Sequence, residues 1–236
     1  MWTAIVDSKA LQQAGRWTVS YFQEAGDVAE SEYPIAALSQ VLREQRGSAD
    51  PQGLGSKHIN YVGLENVRSV TGELTDFNPR PALEIKSRSK TFAAGDILFG
   101  RLRPELNKVL VVSDELGGGL CSGEFYVLRP TTGEATSHFW RHVLASKFVT
   151  EQIGRFRAGA SLPRVAIADL LSIQVPVPPA ETQVRLSAEL RDLDAELVLL
   201  RERLDAHPNN VQAALVAAVT HSGVSISGGL RQISKQ

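Results

Sequence analysis

The stretch GDILFGRLRPELNKVLVV, residues 95–112, predicts how the centre of the chain folds. Its two apolar runs, 97–99 and 109–112, are short and bounded by polar or turn residues, which is typical of buried strands. The connection between them contains long cations and an amide: Arg101, Arg103, Asn107 and Lys108. A tight hairpin needs only Gly, Asn or Asp at its turn, so these side chains call for another explanation.

The sequence on both sides of this stretch mixes short β-like runs with helical spacing. The predicted strands are 59–64, 96–100, 108–112 and 124–130. Helices are predicted at 33–46 and 137–154, a turn-rich segment at 115–123, and an extended exit at 173–179. These elements indicate an α+β fold, a mixed β domain with flanking helices.

A long coiled-coil-forming helical arm is predicted after Pro178 and Pro179. Its leucines are spaced by alternating steps of four and three residues: Leu186, Leu190, Leu193, Leu197, Leu200 and Leu204. The predicted helix covers 181–206, about 39 Å at 1.5 Å per residue, and is expected to end at Pro208. A shorter helix follows, capped by Asn209 or Asn210 and ended by Gly223. The leucine seam packs either on its own domain or, as the proline exit favours, on a partner helix.

Composition narrows the class of protein. The chain has 236 residues, a net charge of −1 and one cysteine, Cys121, which excludes an internal disulfide and fits a reducing compartment. Neither a signal peptide nor an apolar run long enough to cross a bilayer is evident, so we expect a cytoplasmic protein without membrane contact.

Positive charge is concentrated in two segments. Residues 57–108 contain nine Lys or Arg against six acids, and 155–164 contain three Arg and no acid, whereas 165–206 contain four basic and eight acidic residues. Localised basic loops between strands suit contact with phosphates and base edges. The candidate DNA-binding residues are Lys57, His58, Asn60, Arg88, Lys90, Arg101, Arg103, Asn107, Lys108, Arg155, Arg157, Ser161 and Arg164.

No motif supports catalysis. The segment GLGSK, 53–57, lacks the glycine spacing of a phosphate-binding loop, and His138 with His142 lacks the glutamate of a zinc protease helix. Cys121 has no local partner that would lower its pKa. A metal-dependent nuclease centre would need to be built from Asp76, Glu84 and Lys86, and this alternative stays open.

Five motifs in order resemble the target-recognition domain of type I restriction–modification specificity subunits. They are GDIL at 95–98, RLRPELNK at 101–108, CSGEF at 121–125, RVAIADLL at 164–171 and PPAETQ at 178–183. The last departs from the family pattern by one inserted residue, Thr182. Typical members carry two recognition domains, whereas this sequence shows no internal repeat, so the resemblance implies a half-subunit.

The resemblance implies three regions: a target-recognition domain at 1–178, a helical dimerisation and spacer region at 179–223, and a flexible tail at 224–236. It implies a reader of double-stranded DNA with no catalysis of its own. Adenine methyltransferase subunits would bind S-adenosylmethionine and methylate a bipartite site beside it, and a nuclease–translocase subunit would join them. A homodimer with antiparallel arms, paired through the six leucines above, would read an interrupted palindrome.

A reader in another methylation-linked phage-defence system, or a spare half-subunit, is the alternative within the same class.

Overall fold

The computed structural model describes residues 31–154 and 162–221, and the side chains within these ranges up to residue 217. The described strands are β1 Ile35–Ala37, β2 Leu42–Glu44, β3 Ser48–Ala49, β4 His58–Ile59, β5 Tyr61–Val62, β6 Arg80–Pro81, β7 Ser89–Phe92, β8 Ile97–Gly100, β9 Val109–Val111, β10 Gly119–Cys121, β11 Phe125–Pro130 and β12 Gln174–Pro176. The described α-helices are α1 Leu38–Val41, α2 Ser137–Ala145, α3 Lys147–Gly154, α4 Ile167–Ser172 and α5 Ala180–His221.

The central sheet has the order β2-β11-β8-β9, and all its pairings are antiparallel. Successive residues of a strand point to opposite faces, and both faces are apolar here. Phe99 and Leu128 pack in one hydrophobic cluster, whereas Leu98 and Val127 pack in another. The continuous apolar runs of β8, β9 and β11 therefore reflect a sheet that is covered on both sides.

Different elements of the chain cover the two hydrophobic clusters. Helices α2 and α4 contribute Trp140, Leu144 and Leu170 to the first cluster. A second sheet, β3-β7-β10-β5, contributes Phe92 and Cys121 to the other. The result is a helix–sheet–sheet arrangement, and the predicted α+β class with mixed strands and a long C-terminal helix is confirmed.

The helix predicted at 33–46 is wrong. Only Leu38–Val41 is helical, one turn between β1 and β2. Strand β1 pairs with the distant β12, and β2 pairs with β11. These long-range ladders outweigh the local helical spacing, because a short apolar run fits a helix and a strand almost equally well.

Helix α5 does not end at Pro208 as predicted; it runs unbroken from Ala180 to His221. Proline in a helix interior removes one hydrogen bond and costs about 3 kcal/mol. The residues after it, 212–218, are mostly Ala, Leu and Gln, which favour the helix, so it continues. The proposed terminator Gly223 lies outside the described residues. None of the described helices is both long and apolar enough to span a bilayer.

The N-terminal turns of α5 are bonded into the domain through buried polar side chains. Gln183, 2% exposed, accepts a hydrogen bond from Trp140 Nε1 at 3.0 Å and from Thr132 Oγ1 at 3.2 Å, and its Nε2 donates to the Pro178 carbonyl at 2.8 Å. Ser187 Oγ, one turn later, accepts the Phe139 N–H at 3.3 Å. The PPAETQ motif therefore fixes the base of the arm.

Replacing Gln183 by Leu is expected to lower the free energy of unfolding by about 1–3 kcal/mol, because the Trp140 indole N–H would be buried without an acceptor. Urea unfolding followed by fluorescence measures this change. The exposed neighbour Val184, changed to Leu, is the matched control and should leave the midpoint in place. Equal midpoints for the Gln183→Leu and control variants would contradict the proposed role of the amide.

The chain divides into two compact units, residues 1–192 and 193–236. Within the first unit, Leu186 and Leu190 pack partly buried against the first hydrophobic cluster, so these two predicted seam residues already have intramolecular contacts. Within the second, Leu193, Leu200 and Leu204 are 59%, 47% and 71% exposed. We call residues 193–221 the distal arm; its leucine seam is the part still open to a partner.

Candidate nucleic-acid interface

The connection between β8 and β9 is anchored through its backbone. The N–H of Arg101 donates to the Glu124 carbonyl at 2.8 Å, and the Arg101 carbonyl accepts the N–H of Val165 at 3.1 Å. The N–H of Arg103 donates to the Pro163 carbonyl at 2.8 Å. Both arginines therefore start from fixed positions in a loop held between rigid strands.

Arg101 and Arg103, two residues apart, do not lie on one side of an extended strand. Arg103 has a left-handed backbone, φ 49° and ψ 60°, and precedes the 3₁₀ turn Pro104–Leu106. Its guanidinium is 3.4 Å from Glu105 and its side chain is 50% exposed. The Arg101 guanidinium instead lies 5.3 Å from the centroid of the Tyr126 ring. The guanidinium groups of Arg101 and Arg103 therefore point in different directions.

Asn107 and Lys108 hold the connection in place from within the protein. Asn107 Nδ2 donates to the Ala145 carbonyl at 2.6 Å, and Lys108 Nζ donates to the Leu64 carbonyl at 2.6 Å. Asn107 also has a left-handed backbone, φ 49°, which asparagine tolerates. Their donors thus reach backbone carbonyls at the end of α2 and in the 3₁₀ turn Leu64–Asn66. Their predicted role as DNA contacts stays a prediction.

Three of the predicted cations meet around one carboxylate. Arg164 forms a two-pronged contact with Glu124, Nη2 to Oε1 at 2.7 Å and Nε to Oε2 at 3.0 Å. Arg101 Nε is 3.9 Å from Glu124 Oε2, and Lys90 Nζ lies 4.7 Å from the Tyr126 ring centroid. We call Lys90, Arg101, Glu124, Tyr126 and Arg164 the Glu124 cluster.

The charges of the Glu124 cluster are strongly coupled. The hydrogen bond from Arg164 lowers the pKa of Glu124, with partial burial acting against it, so the carboxylate is ionised at neutral pH. The same bond raises the pKa of the Arg164 guanidinium. Lys90 is additionally 3.5 Å from Glu44. Glu124 thus holds two arginine side chains near one place while leaving the cluster with more positive than negative charge.

Asn60 is also engaged inside the protein. Its Nδ2 donates to the Leu116 carbonyl at 2.7 Å and contacts the Gly118 carbonyl at 3.4 Å. The amide nitrogen of Asn60 therefore supports the loop before β10, and its predicted contact with a base edge stays a prediction.

Five of the predicted side chains that the structure describes are exposed: Lys57, His58, Arg88, Arg103 and the Arg164 described above. Lys57 and His58 lie at the start of β4, and Arg88 precedes β7, where its Nε donates to Ser48 Oγ at 3.0 Å. The remaining predicted residues, Arg155, Arg157 and Ser161, lie outside the described part of the chain.

Sequence reasoning missed Glu124 and an aromatic–cation pair. Arg80 on β6 lies 4.6 Å from the ring centroid of Tyr61 on β5, and its Nη2 is 3.5 Å from Glu65. Burial raises the pKa of the Tyr61 phenol, which therefore keeps its proton and can donate a hydrogen bond. A signal for Glu124 was present, since it is the acid of the CSGEF motif.

The residues of the alternative catalytic interpretations have the following surroundings. Asp76, Glu84 and Lys86 are each exposed, and among the described residues no three His, Cys, Asp or Glu side chains come together as metal ligands. Burial raises the pKa of Cys121 to about 12, so its thiol is protonated at neutral pH.

The structure combines a domain of two packed sheets, cations on the connections between its strands, and a long leucine-lined helix. No family model matches the chain. Two curated proteins do, both specificity subunits of type I restriction enzymes. EcoDI from Escherichia coli is 25% identical over 161 residues, 66% of this chain and 35% of that protein. HindI from Haemophilus influenzae is 27% identical over 144 residues, 60% of this chain and 30% of that protein.

Solved structures of the same class share the fold. The HsdS subunit of Thermoanaerobacter tengcongensis has a TM-score of 0.61 at 25% identity, over 85% of this chain and 53% of that one. A chain from a structure on assembly of the type I R-M system has a TM-score of 0.59 at 26% identity, over 84% and 52%. The Mycoplasma genitalium S subunit, 13% identical with a TM-score of 0.51, supports the fold alone.

The predicted resemblance is thereby confirmed: the chain is a relative of type I restriction specificity subunits. It spans about half the length of the first solved relatives, 53% and 52%.

Proposed function

We propose that this chain reads one half of a bipartite DNA sequence and brings methyltransferase subunits to it. The observation that carries the proposal is the fold shared with an HsdS subunit over 85% of this chain and 53% of that subunit. This chain is therefore long enough for one recognition unit, whereas the relative is long enough for two. The chain would supply binding and geometry, and the partner would supply S-adenosylmethionine and the chemistry.

The DNA-facing surface in this proposal comprises the exposed cations Lys57, Arg88 and Arg103 together with the Glu124 cluster. Long cations on loops between rigid strands can clamp phosphates, and a guanidinium fork can bond two acceptors on a guanine edge. The three backbone hydrogen bonds of Arg101 and Arg103 keep such a fork in one orientation.

Reconstitution tests the proposal. The full chain, combined with a type I methyltransferase subunit, should methylate adenines in one interrupted sequence, and sequencing of the modified DNA identifies that sequence. Each protein alone should leave the same DNA unmodified. Methylation without this chain, or magnesium-dependent cleavage by this chain alone, would overturn the proposal, and the second result would favour the nuclease alternative.

Neutralising Glu124 is expected to strengthen DNA binding. In the Glu124→Gln variant the cluster gains one net positive charge, and Arg164 loses the carboxylate that holds its fork. We expect higher affinity for all sequences and a salt dependence steeper by about one ion released. Fluorescence anisotropy at several salt concentrations measures both. Glu65→Gln, which removes the carboxylate beside Arg80, is the matched control; weaker binding by Glu124→Gln would instead make Glu124 a required positioning residue.

The distal arm supports pairing with a second copy, and its charges favour the antiparallel orientation. Beside the leucine seam, Asp194 and Glu196 precede Arg201 and Arg203. When two arms run antiparallel with Leu193 opposite the second copy's Leu204, each acid lies near an arginine of the other arm. A shift by one heptad brings like charges together, and a parallel pair gains no net attraction, so a single register is preferred.

A further inference from the structure

An apolar groove lies on the first unit where the arm begins. Its volume is about 480 Å³. It is lined by the partly buried Phe148, Leu186 and Leu190, by Phe139 and Val143 of α2, and by Tyr33, which is 38% exposed. An open surface of this composition on a helix base is typical of a docking site.

The distal arm carries exposed apolar side chains beyond the leucine seam. Because α5 continues through Pro208, Val211 and Leu215 lie one turn apart on the same helix, 44% and 57% exposed. The shorter arm predicted from sequence would have ended before them.

We propose that this groove receives residues 207–217 of the distal arm of a second copy of the chain. The inference rests on the proposed pairing of the arms and deepens it. In the antiparallel register that the charges favour, Leu193 lies opposite Leu204 of the second copy. The same register places Leu190 opposite the second copy's His207, and Leu186 opposite its Val211.

The two-fold symmetry of such a pair makes the contact occur twice. Each copy supplies a groove and a distal arm, so an interface that begins in the leucine seam extends onto both recognition units. The distance between the two units is then set by side-chain packing at both ends of the arms as well as by the length of the helices. Docking of the ends also offsets the helix-breaking cost of Pro208.

Disulfide trapping tests the contact. Positions 186 and 211 lie about 37 Å apart along one helix, and 193 and 204 about 16 Å apart, so neither pair can bridge within one straight helix. The native thiol, Cys121, is buried and does not compete. Under mild oxidation, the Leu186→Cys/Val211→Cys variant should give a reducible band at twice the chain mass. Leu190→Cys/His207→Cys should do the same if the first variant folds poorly.

Two further variants separate the groove from the seam. Leu193→Cys/Leu204→Cys reports the antiparallel seam alone, and Ala188→Cys/Val211→Cys, on another face of the arm, is the matched negative control. Links in the seam pair and in a groove pair support the proposal. A link in the seam pair with none in either groove pair overturns it while the arm pairing stands. No link in any pair overturns the pairing itself and the groove contact with it.

Discussion

A chain carrying Leu200→Asp is expected to stay monomeric at concentrations at which the unchanged chain is dimeric. In the antiparallel register Leu200 packs against Leu197 of the second copy, and symmetry repeats that layer. Burial of one leucine contributes about 2 kcal/mol, and the substitution removes it from two layers. The total of about 4 kcal/mol corresponds to roughly a thousandfold weaker association.

The neighbouring residue gives a matched control. Leu199 and Leu200 are 50% and 47% exposed on the same helix, but only Leu200 lies in the seam. Light scattering of the Leu199→Asp chain should therefore report the same mass as the unchanged chain, and Leu200→Asp should halve it. Equal masses for both variants would show that the seam does not hold the copies together.

The central strands were predictable because they are buried on both faces. Runs such as 96–100, 108–112 and 124–130 contain few polar residues, and their short length and their β-branched and aromatic residues favour strands. The one-turn helix α1 between two short strands was not predictable, since β1 and β2 exist only through ladders to β12 and β11, far along the chain. Pro208 was likewise predicted to end the helix because of its local effect on the backbone, whereas α5 continues to His221.

The candidate site was predictable by residue type and less so by role. Arg101, Lys90 and Arg164 do come together, but the acid that gathers them was not among the predicted residues. Asn107 and Lys108 have the chemistry of DNA contacts, yet their donors reach carbonyls 38 and 44 residues away in sequence. Which cation is exposed and which is bonded internally depends on such distant acceptors, and no local pattern encodes them.

Replacing Arg103 by Ala is expected to give the largest loss of DNA binding among single substitutions on the described surface. Arg103 is exposed, its backbone is fixed to Pro163, and alanine adopts the same left-handed backbone no less readily than arginine does. If the guanidinium reads a base, discrimination at one base pair falls by about 1–3 kcal/mol, roughly ten- to a hundredfold. If it meets a phosphate, affinity falls for every sequence and the salt dependence drops by about one ion.

The control for this experiment is another exposed arginine in an ion pair. Arg185 is 2.7 Å from Glu189 on α5, away from the β8–β9 connection. DNA affinity is measured by titration for the Arg103→Ala and Arg185→Ala complexes, with the target sequence and with single-base variants of it, at two salt concentrations. The comparison distinguishes a base contact from a phosphate contact. Arg103 should dominate because its side chain is 50% exposed and lies 3.4 Å from Glu105, whereas Arg164 is held by Glu124 at 2.7 Å and Arg101 is only 32% exposed. Equal affinities and equal salt slopes for the two variants would show that the DNA-binding surface does not include the β8–β9 connection.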